Sequence, residues 1–291
     1  MGKRGARDNR PTPPGGGADL HLHTTLSDGS RTPEQLVAAA LQAGLGAIAV
    51  TDHDTLAGVA PAVAAAAGTK LEVVRGVELS AQAGLQEIHV LGLFLPAEPA
   101  ALAAELQLYR ERRRARIYVI CERLRAMGLD VRAEEVFAFA ANEAPGRAHV
   151  ARVLCNRGLV SAMGEAFDRY LGNDAPGYVP KERPAAADAV RLIHRAGGAA
   201  VMAHPGLTRR DDVIPGLVAA GLDGIEVYAP AHGPELVAHY TELARQHGLL
   251  ASAGSDSHGD NKETCPLGCV RLGAEDLELL RARAADRASR T

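Results

Sequence analysis

Tryptophan is absent from the 291 residues of this chain, and aromatic side chains make up only 3% of it. With aliphatic residues abundant and aromatics scarce, the composition is that of a soluble α/β protein packed through small side chains. Cysteine is equally sparse. Cys121, Cys155, Cys265 and Cys269 form no CxxC pair and no even ladder, which excludes a disulfide framework and predicts reduced thiols in a cytoplasmic protein. The CPLGC segment resembles half a zinc site, but no second Cys or His pair follows at the required spacing. No apolar run reaches the ~20 residues of a membrane span. Charge of one sign is lacking too: a formal net charge of −3 exerts no global pull on nucleic acid or anionic membranes, so a polyanionic substrate must be attracted locally. Residues 1–17 are basic and rich in Pro and Gly, and without the apolar core of a signal peptide they read as a disordered leader.

From Ala18 onward, short apolar runs alternate with amphipathic or Ala-rich ones, the rhythm of strands joined by helices. ADLHLH is followed by a helix with a marked start, Thr32 at the N-cap, Pro33 in the first turn and Gln35 completing a capping box; Gly44 suits its end. GAIAVTDHD, EVVRGVELS and EIHVLGLFL supply further strands in residues 18–98. The rhythm stops over residues 99–182, where a long charged helix and shorter helical stretches predict a helical insertion. It resumes over residues 183–291 through AAVMAHP, GIEVYAP and LLASAGSDSH. About seven core strands, read as parallel, predict an α/β architecture closed as a distorted (β/α)7 barrel, whose functional groups gather at the C-terminal ends of the strands.

Metal-type side chains stand at those ends. His21 and His23 project from one face of the first strand, because side chains alternate, and Asp28 follows in a loop that can fold back. Asp52, His53 and Asp54, then Glu78, His89, His204, and finally Asp256 with His258, complete the series. One strand-end histidine is commonly a hydrogen-bonded structural residue. Imidazoles and carboxylates at nearly every strand end repel or desolvate one another unless a cation compensates them, and this predicts a polynuclear metal centre. Mixed nitrogen and oxygen donors without thiolate suit manganese, iron or zinc.

In order, HLH, SDGS, TDHD, GVELS, AHP and GSDSH resemble the PHP (polymerase and histidinol phosphatase) phosphoesterases over about residues 19–258. EIHVLG and GRAHVARVL are similar to stand-alone bacterial members that dephosphorylate nucleoside 3′,5′-bisphosphates and trim short RNA from the 5′ end. The resemblance implies three divalent ions, Mn2+ first with Fe2+ or Zn2+ as alternatives. His21, His23, Glu78 and Asp256 would hold one, Glu78 would bridge to a second bound by His89 and His204, and Asp28, His53 and His258 would hold a third. Glu78, Asp256 and His204 would then stand at the reacting centre. Two cations roughly 3.5 to 4 Å apart can bind a hydroxide between them and aim it at phosphorus. Asp52 and Asp54 are read as orienting His53 and its loop rather than binding metal.

Outside that set, Arg147 and His149 at a helix start, and Lys181 in YVPK, are candidates to grip substrate phosphate. Tyr228 and His232 are possible rim residues, while His194, His239 and His247 read as surface or packing groups. The run YRERRRAR, residues 109–116, spreads cations round a helix with Glu105 and Glu111 interleaved, and reads as a solvated face rather than an RNA groove. The expected function is hydrolysis of the 3′-phosphate of nucleoside 3′,5′-bisphosphates. Competing readings are a 5′–3′ exoribonuclease on short RNA, a histidinol-phosphate phosphatase and a non-catalytic metal-binding module. A nucleotide or short RNA is the expected partner, with neither membrane nor DNA. Oligomeric state has no signal in the sequence.

Overall fold

Strand and helix alternate at both ends of the chain, as the apolar rhythm predicts. The computed structural model describes residues 16–140, 145–261 and 265–290. The first part runs β1 (Ala18–Leu22), α1 (Pro33–Gln42), β2 (Ala47–Val50), α2 (Val59–Ala66), β3 (Glu72–Arg75), β4 (Val77–Ala83) and β5 (Gln86–Leu93). Four helices follow, α3 (Ala100–Ala126), α4 (Ala133–Ala140), α5 (Arg147–Asn156) and α6 (Met163–Ala166), the last continued by a π-helical stretch, Phe167–Leu171. The last part runs α7 (Ala186–Arg195), β6 (Ala199–Met202), α8 (Pro205–Thr208), α9 (Ile214–Ala219), β7 (Gly224–Tyr228), α10 (Pro234–His247), β8 (Leu250–Ala253) and α11 (Ala274–Ala288). Of the leader expected over residues 1–17, all but Gly16 and Gly17 lie outside the described residues. No helix among the described residues is long and apolar enough to cross a membrane.

Local chemistry accounts for the element boundaries. The Thr32 side chain accepts from the Gln35 amide, the Gln35 side chain accepts from the Thr32 amide, and Pro33 fills the first turn of α1, so orphan donors at the helix start are satisfied. Gly44, at φ +68°, turns the chain out of that helix.

The sheet differs from the seven parallel strands expected. Among the described residues eight strands form two sheets, β1-β2-β3 and β4-β5-β6-β7-β8. Pairing is parallel within the first sheet and from β6 to β8, but β4–β5 and β5–β6 are antiparallel. The segment EVVRGVELS is two strands, divided at Gly76, where a Cβ would lie 2.9 Å from Thr51 and 3.0 Å from the Val50 carbonyl. The connection from β4 to β5 is Gly84 and Leu85 alone, and so short a link permits only an antiparallel hairpin. Isolated bridges join the two sheets, Leu22 to Ser257 and His53 to Glu78.

Residues 100–171 contain no strand among those described. Ile117, Cys121 and Leu124 of α3 pack with Val136, Val150 and Leu154 in an apolar cluster of their own. Near its start the same helix plants Leu102 and Leu106 in the core beneath the second sheet. Helix α3 is therefore a beam rooted in both cores.

The lack of a CxxC pair predicts four reduced thiols, and two of the cysteines depart from that expectation. Cys265 and Cys269 form a disulfide with a Cα–Cα distance of 6.2 Å, whereas Cys121 and Cys155 are free thiols. Gly268, at φ +74°, turns the intervening chain so that a four-residue separation falls within bridging range.

At the opposite edge, buried Asp223 accepts from the Ala200 amide (3.0 Å), His194 Nε2 (2.8 Å) and Arg287 Nη2 (2.8 Å). This ties α7, β6 and α11 together. Burial acts to raise the Asp223 pKa, but the bonds from His194, Ala200 and Arg287 outweigh it and hold the carboxyl below its usual value. Its stabilising effect is complete above the unfolded carboxylate value of about 3.9 and is lost as pH falls through the depressed folded value. Asp223→Asn should lower unfolding free energy by about 3 kcal/mol at pH 7, and the difference from wild type should shrink below about pH 4, as read by urea denaturation.

Candidate metal centre

Five imidazoles surround one buried carboxylate. Glu78 of β4 places Oε2 3.1 Å from His21 Nε2, 3.2 Å from His23 Nε2 and 3.1 Å from His53 Nδ1. Its Oε1 lies 2.8 Å from His89 Nδ1 and 3.1 Å from His204 Nε2. Asp256 Oδ1 closes one side, 3.5 Å from His21 and 3.2 Å from His23. Asp28 closes another, 3.3 Å from His258, 3.6 Å from His23 and 3.9 Å from His53. The nine residues that the resemblance names as ligands thus lie together. Eight of them supply donor atoms to three groups able to hold an ion: His21, His23, Glu78 and Asp256; His53, Glu78 and His89; and His23, Asp28, His53 and His258. The ninth, His204, pairs with Glu78 Oε1.

The backbone is shaped around these contacts. The Asp54 amide donates to the Glu78 carbonyl (2.9 Å) and the Glu78 amide to the Asp52 carbonyl (3.3 Å), which stitches the loop after β2 to β4 and sets His53 beside Glu78. Asp52 accepts from the Thr24 amide and hydroxyl (both 2.7 Å) and the Ser27 hydroxyl (2.6 Å), fastening the loop that carries Asp28. Asp54 accepts from the Ser80 amide (2.8 Å) and pairs with Arg113. Asp52 thus fastens the loop bearing Asp28, and Asp54 ties the loop bearing His53 to β4 and α3. Asp54, His204 and Asp256 have φ of +50°, +28° and +49°, a conformation costing about 1–3 kcal/mol per non-glycine residue and concentrated at functional sites. Gly254 approaches so closely that a Cβ would lie 2.2 Å from that of His21.

The donor chemistry fits divalent cations. Buried His21 Nε2, both ring nitrogens of His23, His53 Nδ1, Glu78 Oε2, His89 Nδ1 and His204 Nδ1 make no hydrogen bond among the described residues. Several lie 3.1–3.2 Å from Glu78 Oε2, so proximity is present and hydrogen-bond orientation is not. Lone pairs that converge on shared space, rather than N–H groups aimed at acceptors, are the arrangement of metal ligands. Protons alone leave the cluster unevenly charged. Burial opposes protonation of His23 and His89, yet the carboxylates pull them up to about 9 and about 10. Burial, with His23 and His89 nearby, takes His53 down to about 4 against the pull of Glu78. Burial also opposes ionisation of Glu78 and Asp256, and the surrounding imidazoles hold both well below the usual carboxylate range.

Glu226 was not among the residues the sequence singled out. Fully buried on β7, it accepts from His21 Nδ1 (3.0 Å) and from the His204 amide (2.6 Å). It thereby fixes which nitrogen of His21 faces the centre, and secures the strained turn at His204. The signal in GIEVY was a single charge inside an otherwise apolar strand.

A cavity of about 570 Å³ opens over the centre, with Asp28, His53 and His89 on its floor. His149 and Lys181, two of the candidates to grip phosphate, line it, and so do Tyr109, Arg110, Arg113 and Arg114 of α3. The YRERRRAR run is therefore partly a cavity wall, a correction that only the placement of α3 reveals. Lys181 stands 3.5 Å from Glu87, which also pairs with Arg183; burial and Arg113 push its ammonium down to about 8. Arg147 is not a wall residue. Its guanidinium donates to the Leu171 carbonyl (2.9 Å) and Asn173 (3.0 Å), bracing the helical segment. His232 is buried, donating to the Val227 carbonyl (2.9 Å) and accepting from the Gly206 amide (3.0 Å), which makes it a structural group.

Residues 19–151 match the family model described as the PHP domain. The chain is 38% identical over 255 residues to the 5′-3′ exoribonuclease Rnm of Escherichia coli strain K12, covering 85% of this chain and 86% of that protein. The chain belongs to the PHP family. It is also 39% identical to the 3′,5′-nucleoside bisphosphate phosphatase of Chromobacterium violaceum over 82% of this chain and 86% of that one. A Bifidobacterium adolescentis crystal structure, provisionally described as a metal-dependent phosphoesterase, superposes with a TM-score of 0.75 at 30% identity, covering 93% of this chain and 97% of its own. Together with the donor clusters, these relatives make this PHP protein a metal-dependent phosphoesterase. If Glu226 supports the centre through His21 and His204, Glu226→Gln should weaken Mn2+ binding by about ten- to a hundredfold, as read by calorimetric titration of chelator-treated protein. Circular dichroism should be unchanged, and an unaltered affinity would remove Glu226 from that role.

Proposed function

We propose that this PHP enzyme removes the 3′-phosphate from nucleoside 3′,5′-bisphosphates such as adenosine 3′,5′-bisphosphate, releasing inorganic phosphate. The observation that carries the reading is the sharing of one cavity by members of the Glu78 cluster and a wall containing Lys181, Arg113 and His149. A substrate with two phosphates can present one to each. At about 570 Å³ the cavity lies in the range of small-molecule sites and suits a single nucleotide. The relative named as a bisphosphate phosphatase supports the same substrate class.

We assign three divalent ions to the centre, manganese first, with iron or zinc as alternatives. His21, His23, Glu78 and Asp256 would hold one, Glu78 with His89 and His204 a second, and Asp28, His53 and His258 a third. The donor groups support the first site as assigned; they add His23 to the third and place His53, rather than His204, beside Glu78 and His89 in the second, while His204 Nε2 lies 3.1 Å from Glu78 Oε1. When bound, such ions supply Lewis acidity that lowers the pKa of water and offsets charge on the phosphoryl oxygens.

The protein's own groups hold and orient the substrate. The Lys181 ammonium and the His149 ring, on the wall, bind the phosphate that is not cleaved. Glu87 beside Lys181, and Asp54 beside Arg113, limit where those cations can move. Glu78, Asp256 and His204 stand at the reacting phosphate. Residues 99–182 act as a unit inserted between 18–98 and 183–291, supplying the wall, and the two bridged sheets form a distorted barrel whose strand ends supply the floor.

A second reading, 5′–3′ removal of nucleotides from short RNA, is favoured by the 38% identity to a protein of that name. Protein purified with Mn2+ should convert adenosine 3′,5′-bisphosphate to the 5′-monophosphate, and chelation should abolish the release of phosphate until Mn2+ is restored. Replacing the central carboxylate, Glu78→Gln, should lower kcat on the order of a thousandfold. Failure to cleave the bisphosphate while another phosphoester is cleaved overturns the substrate assignment. Stepwise mononucleotide release from a 5′-phosphorylated oligoribonucleotide identifies the second activity.

A further inference from the structure

The basic run on α3 does more than close the cavity. Arg110 and Arg114 line the cavity, and Tyr118 stands one further turn along; spacing of four residues puts all three on one stripe of the helix. The Arg114 guanidinium lies 3.9 Å over the centroid of the Phe137 ring of α4, and the Tyr118 ring meets the same Phe137 edge-on at 5.4 Å. Tyr118 is 44% exposed. Arg110 and Arg114 have no carboxylate partner among the described residues, Arg110 donating to the Gln107 side chain (2.8 Å). The nearby acids are engaged: Glu111 accepts from Gln107 (2.8 Å) and Glu134 from the Tyr118 hydroxyl (3.3 Å).

We propose that the stripe Arg110, Arg114 and Tyr118, backed by Phe137, is a track for single-stranded RNA whose 5′ nucleotide occupies the cavity. This rests on the exoribonuclease reading and names the surface that reading requires. A strand with its 5′ end over the Glu78 cluster must leave the cavity past one of its walls. Two guanidinium groups followed by an exposed ring suit that exit, since the cations meet successive phosphates and the ring stacks a base without selecting among bases. The chain carries a net charge of −3, so attraction of a polyanion is a property of this stripe rather than of the whole surface. A mononucleotide bisphosphate ends inside the cavity and never reaches Tyr118.

That difference is the test. With a 5′-phosphorylated hexaribonucleotide, Tyr118→Ala should lower kcat/KM about tenfold, chiefly through KM, while turnover of adenosine 3′,5′-bisphosphate stays within about twofold and Tyr118→Phe behaves as wild type. Fluorescence anisotropy of a labelled hexamer in EDTA gives a second readout. Arg114→Gln should reduce the slope of log Kd against log salt by about 0.7. Equal losses on both substrates in Tyr118→Ala, no loss on the hexamer, or a hexamer that wild type does not bind would each overturn the track. Wild type that ignores the bisphosphate but binds the hexamer through Tyr118 overturns the phosphatase assignment and leaves the track standing.

Discussion

Concentration of ligand atoms around the buried Glu78 carboxylate is the constraint on which the other features depend. Both its oxygens lie within 3.2 Å of imidazole nitrogens, five rings in all. Such a cluster is unfavourable by itself: burial opposes every charge in it, and protons distribute unevenly among rings of the same chemical type. Several of its polar atoms make no hydrogen bond among the described residues. Divalent cations remove both difficulties at once, and the fold can be understood as the frame that holds these ligands in readiness.

The frame meets the cost with strain and close approach at defined points. Asp54, His204 and Asp256 adopt left-handed backbone conformations, and Gly254 leaves room for His21 where any side chain would collide. Asp52 and Glu226 then hold the strained pieces in place, Asp52 through the loop bearing Asp28 and Glu226 through His21 and the His204 amide. Hydrogen bonds fix these positions, so the loops can carry reactive groups without losing their geometry.

Helix α3 extends this logic from the floor to the wall. Leu102 and Leu106 anchor it in the core below the second sheet, and Ile117 to Leu124 anchor it in the helical cluster. Between those anchors, Tyr109 to Arg114 have little freedom to move away from the cavity. The Arg113–Asp54 pair joins wall to floor. The cations of the cavity wall therefore come from a different part of the chain than the acids and imidazoles of its floor.

All nine ligand candidates were legible in the sequence, because His, Asp and Glu at the ends of successive apolar runs have few structural reasons to recur. The start of α1 was legible for a similar reason, since Thr32, Pro33 and Gln35 interact only with near neighbours. Features that depend on backbone geometry or on distant partners were not legible. The antiparallel turn of β4 and β5, the division at Gly76 and the Cys265–Cys269 bond follow from how strands and turns meet in space. Glu226 resembled any polar residue in a strand until β7 was set beside β1 and β6. YRERRRAR has cations on most faces of its helix, so its sequence could not say which face is covered; α3's two anchors decided that. Arg147 was drawn from the same kind of motif and fell on the other side of the decision, turned toward Leu171 and Asn173. Sequence alone determined which chemical groups are present and which local hydrogen bonds begin and end the elements, because those depend on covalent spacing. Tertiary structure decided which groups share a cavity, since that depends on packing between segments that the chain separates by tens or hundreds of residues.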